Sequence, residues 1–90
     1  MTSLEAVFRD RHGLHPRAAH RIQETVAGFE SRLALDRIET GESIDARSML
    51  GLISSGVRAG ERVRVTADGP DEAVAAAALK ALLDSGVCHP

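Results

Sequence analysis

Tryptophan and tyrosine are missing from this chain of 90 residues, and phenylalanine occurs only twice. The aromatic platforms on which single-stranded nucleic acids stack are therefore absent. Neither sign of charge dominates: 11 basic against 13 acidic side chains leave a formal net charge of −2. That balance excludes a strongly basic nucleic-acid binder and a polybasic membrane-surface protein. The lone cysteine, Cys88, permits no intrachain disulfide and no thiolate zinc site, and it reads as a tail residue without a role. The longest uncharged apolar run, residues 73–79, is too short and too rich in alanine to span a bilayer. The opening residues lack the basic region and apolar stretch of a secretory signal. A cytoplasmic protein with no membrane insertion is the expectation.

What is present is ordinary for a globular chain, with 43% hydrophobic and 27% charged residues. No repeat, linker or break in composition divides it, so residues 1–90 are expected to form one domain. Leu4, Ala6 and Phe8 alternate with Ser3, Glu5 and Val7, which predicts a strand. Asp10 to Gly13 reads as a loop. Pro16 suits the first position of a helix, where its missing N–H costs nothing, and Ala19, Ile22, Val26 and Phe29 supply an apolar stripe. Leu33, Leu35 and Ile38 predict a second strand, Thr40 to Glu42 a turn, and Ser43 to Ala46 a short third strand.

Ser48 is placed to cap a short helix carrying Met49, Leu50, Leu52 and Ile53, ended by Gly56. Its apolar residues cover more than one stripe, so Met49, Leu50 and Ile53 are expected to present a docking patch. Residues 62–66 alternate cleanly as a fourth strand, and Asp68-Gly69-Pro70 turns it. Asp71 and Glu72 open a last helix through residue 84, its buried face assigned to Val74, Ala78, Leu79, Leu82 and Leu83. The order β-α-β-β-α-β-α implies an α+β fold, with helices on one face of an antiparallel sheet.

The chemistry concentrates around His15. Preceding a helix-starting proline, it falls at the N-cap, where first-turn amides lack partners and the helix dipole favours a neutral, nucleophilic imidazole. A phosphoryl group on that ring would meet a helix N-terminus suited to anions, with the Arg17 guanidinium one residue into the helix. His12 and His20 do not complete a metal set with His15, and both read as surface residues; neither a metal nor a cofactor is expected.

Gly13-Leu14-His15-Pro16-Arg17-Ala18-Ala19 resembles the active-site signature of the histidine-containing phosphocarrier (HPr) family of the bacterial phosphoenolpyruvate-dependent sugar phosphotransferase system. Ala46 to Ser54 is similar to that family's regulatory-serine segment, and Ala67 to Ala73 to the turn into its last helix. The resemblance implies an open-faced β-sandwich, four antiparallel strands covered on one face by three helices. It implies a phosphoryl carrier, not an enzyme. Phosphate from phospho-enzyme I would be held on the pros nitrogen of His15, stabilised by Arg17, and passed to enzyme IIA components. It marks Ser48 as the candidate regulatory serine, with HPr kinase/phosphorylase as the partner that would act on it. A monomer is expected. The alternatives are a regulatory protein of the same fold, or a carrier for a dihydroxyacetone-kinase or nitrogen-related relay. Two positions depart from the family pattern, which has alanine after the histidine and proline after the arginine: Pro16 and Ala18 exchange those roles. Pro16 removes an amide beside the phosphate and Ala18 restores one a residue later. Arg47 replaces the family's common lysine.

Overall fold

The computed structural model describes residues 1–86, so Cys88 lies outside the described residues. Seven elements follow one another: β1 (Thr2–Val7), α1 (Pro16–Val26), β2 (Arg32–Arg37), β3 (Ser43–Asp45), α2 (Met49–Ser54), β4 (Arg62–Asp68) and α3 (Glu72–Ser85). The strands form one antiparallel sheet in the order β1-β4-β2-β3. The expected α+β open-faced sandwich is the observed fold.

Side-chain alternation along each strand sets which face is buried. Leu4 pairs with Val65, Val65 with Leu35, and Leu35 with Ile44. One apolar row thus crosses all four strands, and slipping any strand by one residue would turn its share of that row toward water. Ala6, Val63, Leu33 and Ala67 extend the same buried face. From the helices, Ala18, Ala19, Ile22, Val26, Leu52, Ala75, Ala76, Leu79 and Leu83 complete one contiguous core.

Several sequence expectations shift at the edges. Ile38 lies in the turn after β2 rather than in the strand, and that turn covers residues 38–40, ahead of the expected Thr40 to Glu42. The Arg37 amide already pairs with the Glu42 carbonyl at 2.7 Å, so the hairpin closes one step earlier. Ala46 falls just past β3, although its amide still reaches the Leu33 carbonyl at 3.0 Å. Phe29 lies beyond the end of α1 and packs half-buried against the core.

The largest correction concerns α3. Val74 is 64% exposed, and Ala75 and Ala76 take the buried positions beside Leu79 and Leu83. Ala78 and Leu82 are only half-buried. A helix lying close on β1 and β4 accepts small residues at the contact, which turns the β-branched valine outward. Asp71 also departs from expectation. It stands at the N-cap of α3, yet its carboxylate accepts from the amides of Glu30 and Ser31, at 3.0 Å each, and from the Ser31 hydroxyl. These bonds hold the Asp71 carboxyl below its ordinary pKa, the Ser31 hydroxyl contributing most. The start of α3 is thereby tied to the loop between α1 and β2. Gly69 makes the approach possible, because a Cβ there would lie 2.7 Å from Ser31 Cα.

Candidate functional site

The loop from Asp10 to His15 is shaped by its own short-range bonds. Asp10 Oδ1 accepts from the His12 amide at 3.0 Å, and the Asp10 carbonyl accepts from the Gly13 amide at 3.1 Å. This is the local turn that a short acidic side chain favours. Gly13 then adopts φ +73°, and a Cβ there would stand 3.0 Å from the Val57 carbonyl oxygen, so the turn needs glycine twice over. The next amide, Leu14, donates to that same Val57 carbonyl at 2.9 Å, and its side chain is buried. The end of α2 and the His15 loop are thus fastened together.

His15 occupies the N-cap of α1 in extended backbone, with Pro16 at the first helical position. Its side chain makes no capping bond, so the imidazole is free to face elsewhere. The Ala19 amide pairs with the His15 carbonyl at 3.0 Å, which leaves the Arg17 and Ala18 amides as first-turn donors without intrahelical partners. The exchange of Pro16 and Ala18 therefore keeps two such donors in the first turn of α1.

The two ring nitrogens differ. Nε2 is buried and has no hydrogen-bond partner among the described residues, although Asp10 Oδ2 lies 3.6 Å away. The side chain as a whole is 29% exposed, so the accessible part of the ring is not its Nε2 edge. Arg17 is exposed and makes no hydrogen bond or ion pair among the described residues. The His12 ring stands edge-on to His15 with centroids 5.9 Å apart. His20 is separate: exposed on α1, it lies 3.8 Å from Glu24. No group of three His, Cys, Asp or Glu side chains suited to a metal occurs among the described residues.

Ser48 caps α2 as expected, accepting the Gly51 amide on Oγ at 3.0 Å. Its neighbour Arg47 is not a free surface cation, since Nη2 donates to the carbonyls of Phe29 and Ser31. On α2, Leu50 is 79% exposed and Ile53 38%, whereas Met49 is half-buried against the core. The expected apolar patch is therefore carried by Leu50 and Ile53, with Met49 as their support. Leu52 takes the buried stripe, and a helix of six residues leaves Met49 the flank beside it. The acidic residue of the His15 loop was not legible as part of the site; an aspartate three residues before glycine signals a turn, and nothing in that pattern says where its second oxygen points.

Comparison with known proteins bears on what this arrangement does. The family model described as "PTS HPr component phosphorylation site" matches residues 2–85. The phosphocarrier protein HPr of Mycoplasma genitalium is 34% identical over 84 residues, covering 93% of this chain and 94% of its own. The multiphosphoryl transfer protein of Salmonella typhimurium is 37% identical over 84 residues, which cover 92% of this chain. The match spans 22% of that longer relative's length. Among solved structures, HPr-C-His from Thermoanaerobacter tengcongensis superposes with a TM-score of 0.85 at 30% identity, covering 94% of this chain and 93% of that one. No helix among the described residues is long and apolar enough to cross a membrane.

Proposed function

The chain belongs to the HPr family of the phosphotransferase system, and from that premise we propose that it is a phosphoryl carrier charged on His15 by phospho-enzyme I and discharged to enzyme IIA components. It acts as a relay that is itself chemically modified, with no turnover of its own. The observation that carries this reading is the placement of His15 at the N-cap of α1: its Nε2 is buried, and the Arg17 and Ala18 amides of the helix's first turn have no intrahelical partners.

The buried nitrogen is Nε2, so the nucleophile is Nδ1, the pros nitrogen. The Nδ1 lone pair attacks phosphorus, the Nδ1–P bond forms as the donor's bond to phosphorus breaks, and the donor leaves with that electron pair. The three phosphoryl oxygens then meet the Arg17 and Ala18 amides at the positive end of the helix dipole. The Arg17 guanidinium, exposed and without a described partner, closes on the same oxygens with charge-assisted bonds. The phosphoramidate keeps a high transfer potential, and reversal of these steps hands the group to an acceptor.

Leu50 and Ile53 form the contact shared by donor and acceptors, and Ser48 at their edge is the site on which HPr kinase/phosphorylase would act. A surface that must release each partner quickly belongs at the small end of the interface range. The test is incubation with phosphoenolpyruvate and enzyme I. Intact mass should rise by one acid-labile phosphoryl group, and His15→Ala should abolish the gain; uptake by that variant would place the acceptor on another residue.

A further inference from the structure

We infer that Asp10 is the positioning residue for His15: its carboxylate holds the proton on Nε2 and thereby leaves the lone pair on Nδ1. The inference rests on the carrier reading only for its consequence, since the geometry concerns the unphosphorylated chain. Asp10 is among the few buried polar residues, at 5% exposure, and its two oxygens face different tasks. Oδ1 takes the His12 amide at 3.0 Å and so fixes the carboxylate to the loop backbone. Oδ2 stands 3.6 Å from His15 Nε2, a few tenths of an ångström beyond a hydrogen bond.

The buried Nε2 has no other hydrogen-bond partner among the described residues. A neutral imidazole can present either an N–H or a lone pair at that position. A lone pair aimed at a carboxylate oxygen is repelled, and it leaves a buried nitrogen unsatisfied. An N–H donor turns that repulsion into attraction, and an approach of a few tenths of an ångström completes the hydrogen bond. The partner of one ring nitrogen thus selects what the other carries, as in other sites where a carboxylate fixes the histidine tautomer. Once Nδ1 bonds to phosphorus with Nε2 still protonated, the ring is cationic, and the adjacent carboxylate stabilises that charge as it develops.

Asp10→Asn separates positioning from folding. The side-chain carbonyl can keep the His12 amide, while its NH2 replaces the oxygen facing Nε2. Such a donor favours a lone pair on Nε2, which moves the ring proton to Nδ1. Long-range nitrogen–proton NMR on labelled His15, at a pH where the ring is neutral, reads the tautomer directly. The wild-type chain should be predominantly Nε2–H, and Asp10→Asn should shift the ratio at least tenfold toward Nδ1–H. Phosphorylation by enzyme I should slow at least tenfold, with KM for this chain unchanged because the docking surface is intact. A wild-type ring that is mainly Nδ1–H overturns the inference whether or not the variant folds, and so does a folded variant with the wild-type ratio. Failure of the wild-type chain to take up phosphate while its tautomer is Nε2–H would instead overturn the function proposed above and leave the role of Asp10 standing.

Discussion

Arg47 donates from Nη2 to the Phe29 carbonyl oxygen at 2.7 Å, and the same nitrogen reaches the Ser31 carbonyl at 3.0 Å. A side chain that the sequence marks only as a basic neighbour of Ser48 is thus a clasp between the start of α2 and the loop following α1. The Arg47 carbonyl adds a second tie by accepting from the Gln23 side-chain Nε2 at 2.6 Å. Removing the guanidinium leaves two carbonyls to water at an exposed edge, so Arg47→Ala should lower stability by about 1 kcal/mol. Urea denaturation would read this as a lower midpoint with an unchanged slope. An unaltered midpoint would mean that the clasp contributes no net stability.

Glu61 supplies the acid sensitivity of the fold. Its carboxylate takes two parallel bonds from Arg37, at 2.6 and 2.9 Å, with side-chain exposures of 6% and 14% for acid and base. The Arg37 hydrogen bonds hold the Glu61 carboxyl below its ordinary range. A folded-state value below the unfolded one gives stability that is complete above the ordinary carboxylate pKa and lost as pH falls through the lowered value. Wild-type stability should therefore decline below about pH 4.3. Asp71 is shifted the same way and adds to that slope. Glu61→Gln should cost about 2–4 kcal/mol at neutral pH, because Arg37 keeps its burial and loses its closer, bidentate charge partner, with only the more exposed Glu42 left at 3.2 Å. The variant should also show a shallower loss in acid, and a slope equal to wild type would count against the pairing as its source.

At Gly69 the constraint is packing rather than charge. A methyl group there would stand 2.7 Å from Ser31 Cα, a backbone atom that cannot swing aside. Gly69→Ala must push the start of α3 away from the α1–β2 loop and strain the Asp71 bonds to Glu30 and Ser31. A loss of about 2–4 kcal/mol is expected, in the range of disruptive packing changes. Thermal unfolding would measure it; an alanine variant within experimental error of wild type would show that this loop yields easily.

Much of this architecture is legible because the strands alternate. Val63 and Val65 against Arg62 and Arg64 leave one register in which the apolar row stays dry. The N-cap role of Ser48 and the start of α1 at Pro16 are equally local, each fixed by the chemistry of one residue. Failure comes where local contrast is weak. Between Ala73 and Ala78 only Val74 differs from alanine, so a large apolar residue draws the buried assignment although close packing favours the small ones. Asp10 illustrates the other limit. Its polarity marks a loop correctly, but the contact between its carboxylate and His15 depends on how Gly13 returns the chain toward Val57.

Ser48 allows capping and charge to be separated, and with them the docking role of α2. Its Oγ accepts the Gly51 amide, and Leu50, two residues on, is largely exposed. Ser48→Ala removes the cap and should cost about 1 kcal/mol while leaving the surface uncharged. Ser48→Asp keeps an acceptor of nearly equal capping strength and adds an anion at the helix N-terminus, so stability should change little. If Leu50 and Ile53 are where enzyme I docks, the aspartate should raise the apparent KM for this chain severalfold, and the alanine should not. Leu50→Glu should act like Ser48→Asp, weakening docking with stability within about 0.5 kcal/mol of wild type, as surface substitutions usually are. Met49→Glu should do both, because Met49 packs half-buried on the core and a charge there loses about 1–3 kcal/mol of folding stability. Steady-state phosphorylation at varied chain concentration, beside urea unfolding of the same proteins, separates the two effects. A KM unchanged in both Ser48→Asp and Leu50→Glu would move the docking surface off α2 and reduce Ser48 to a cap.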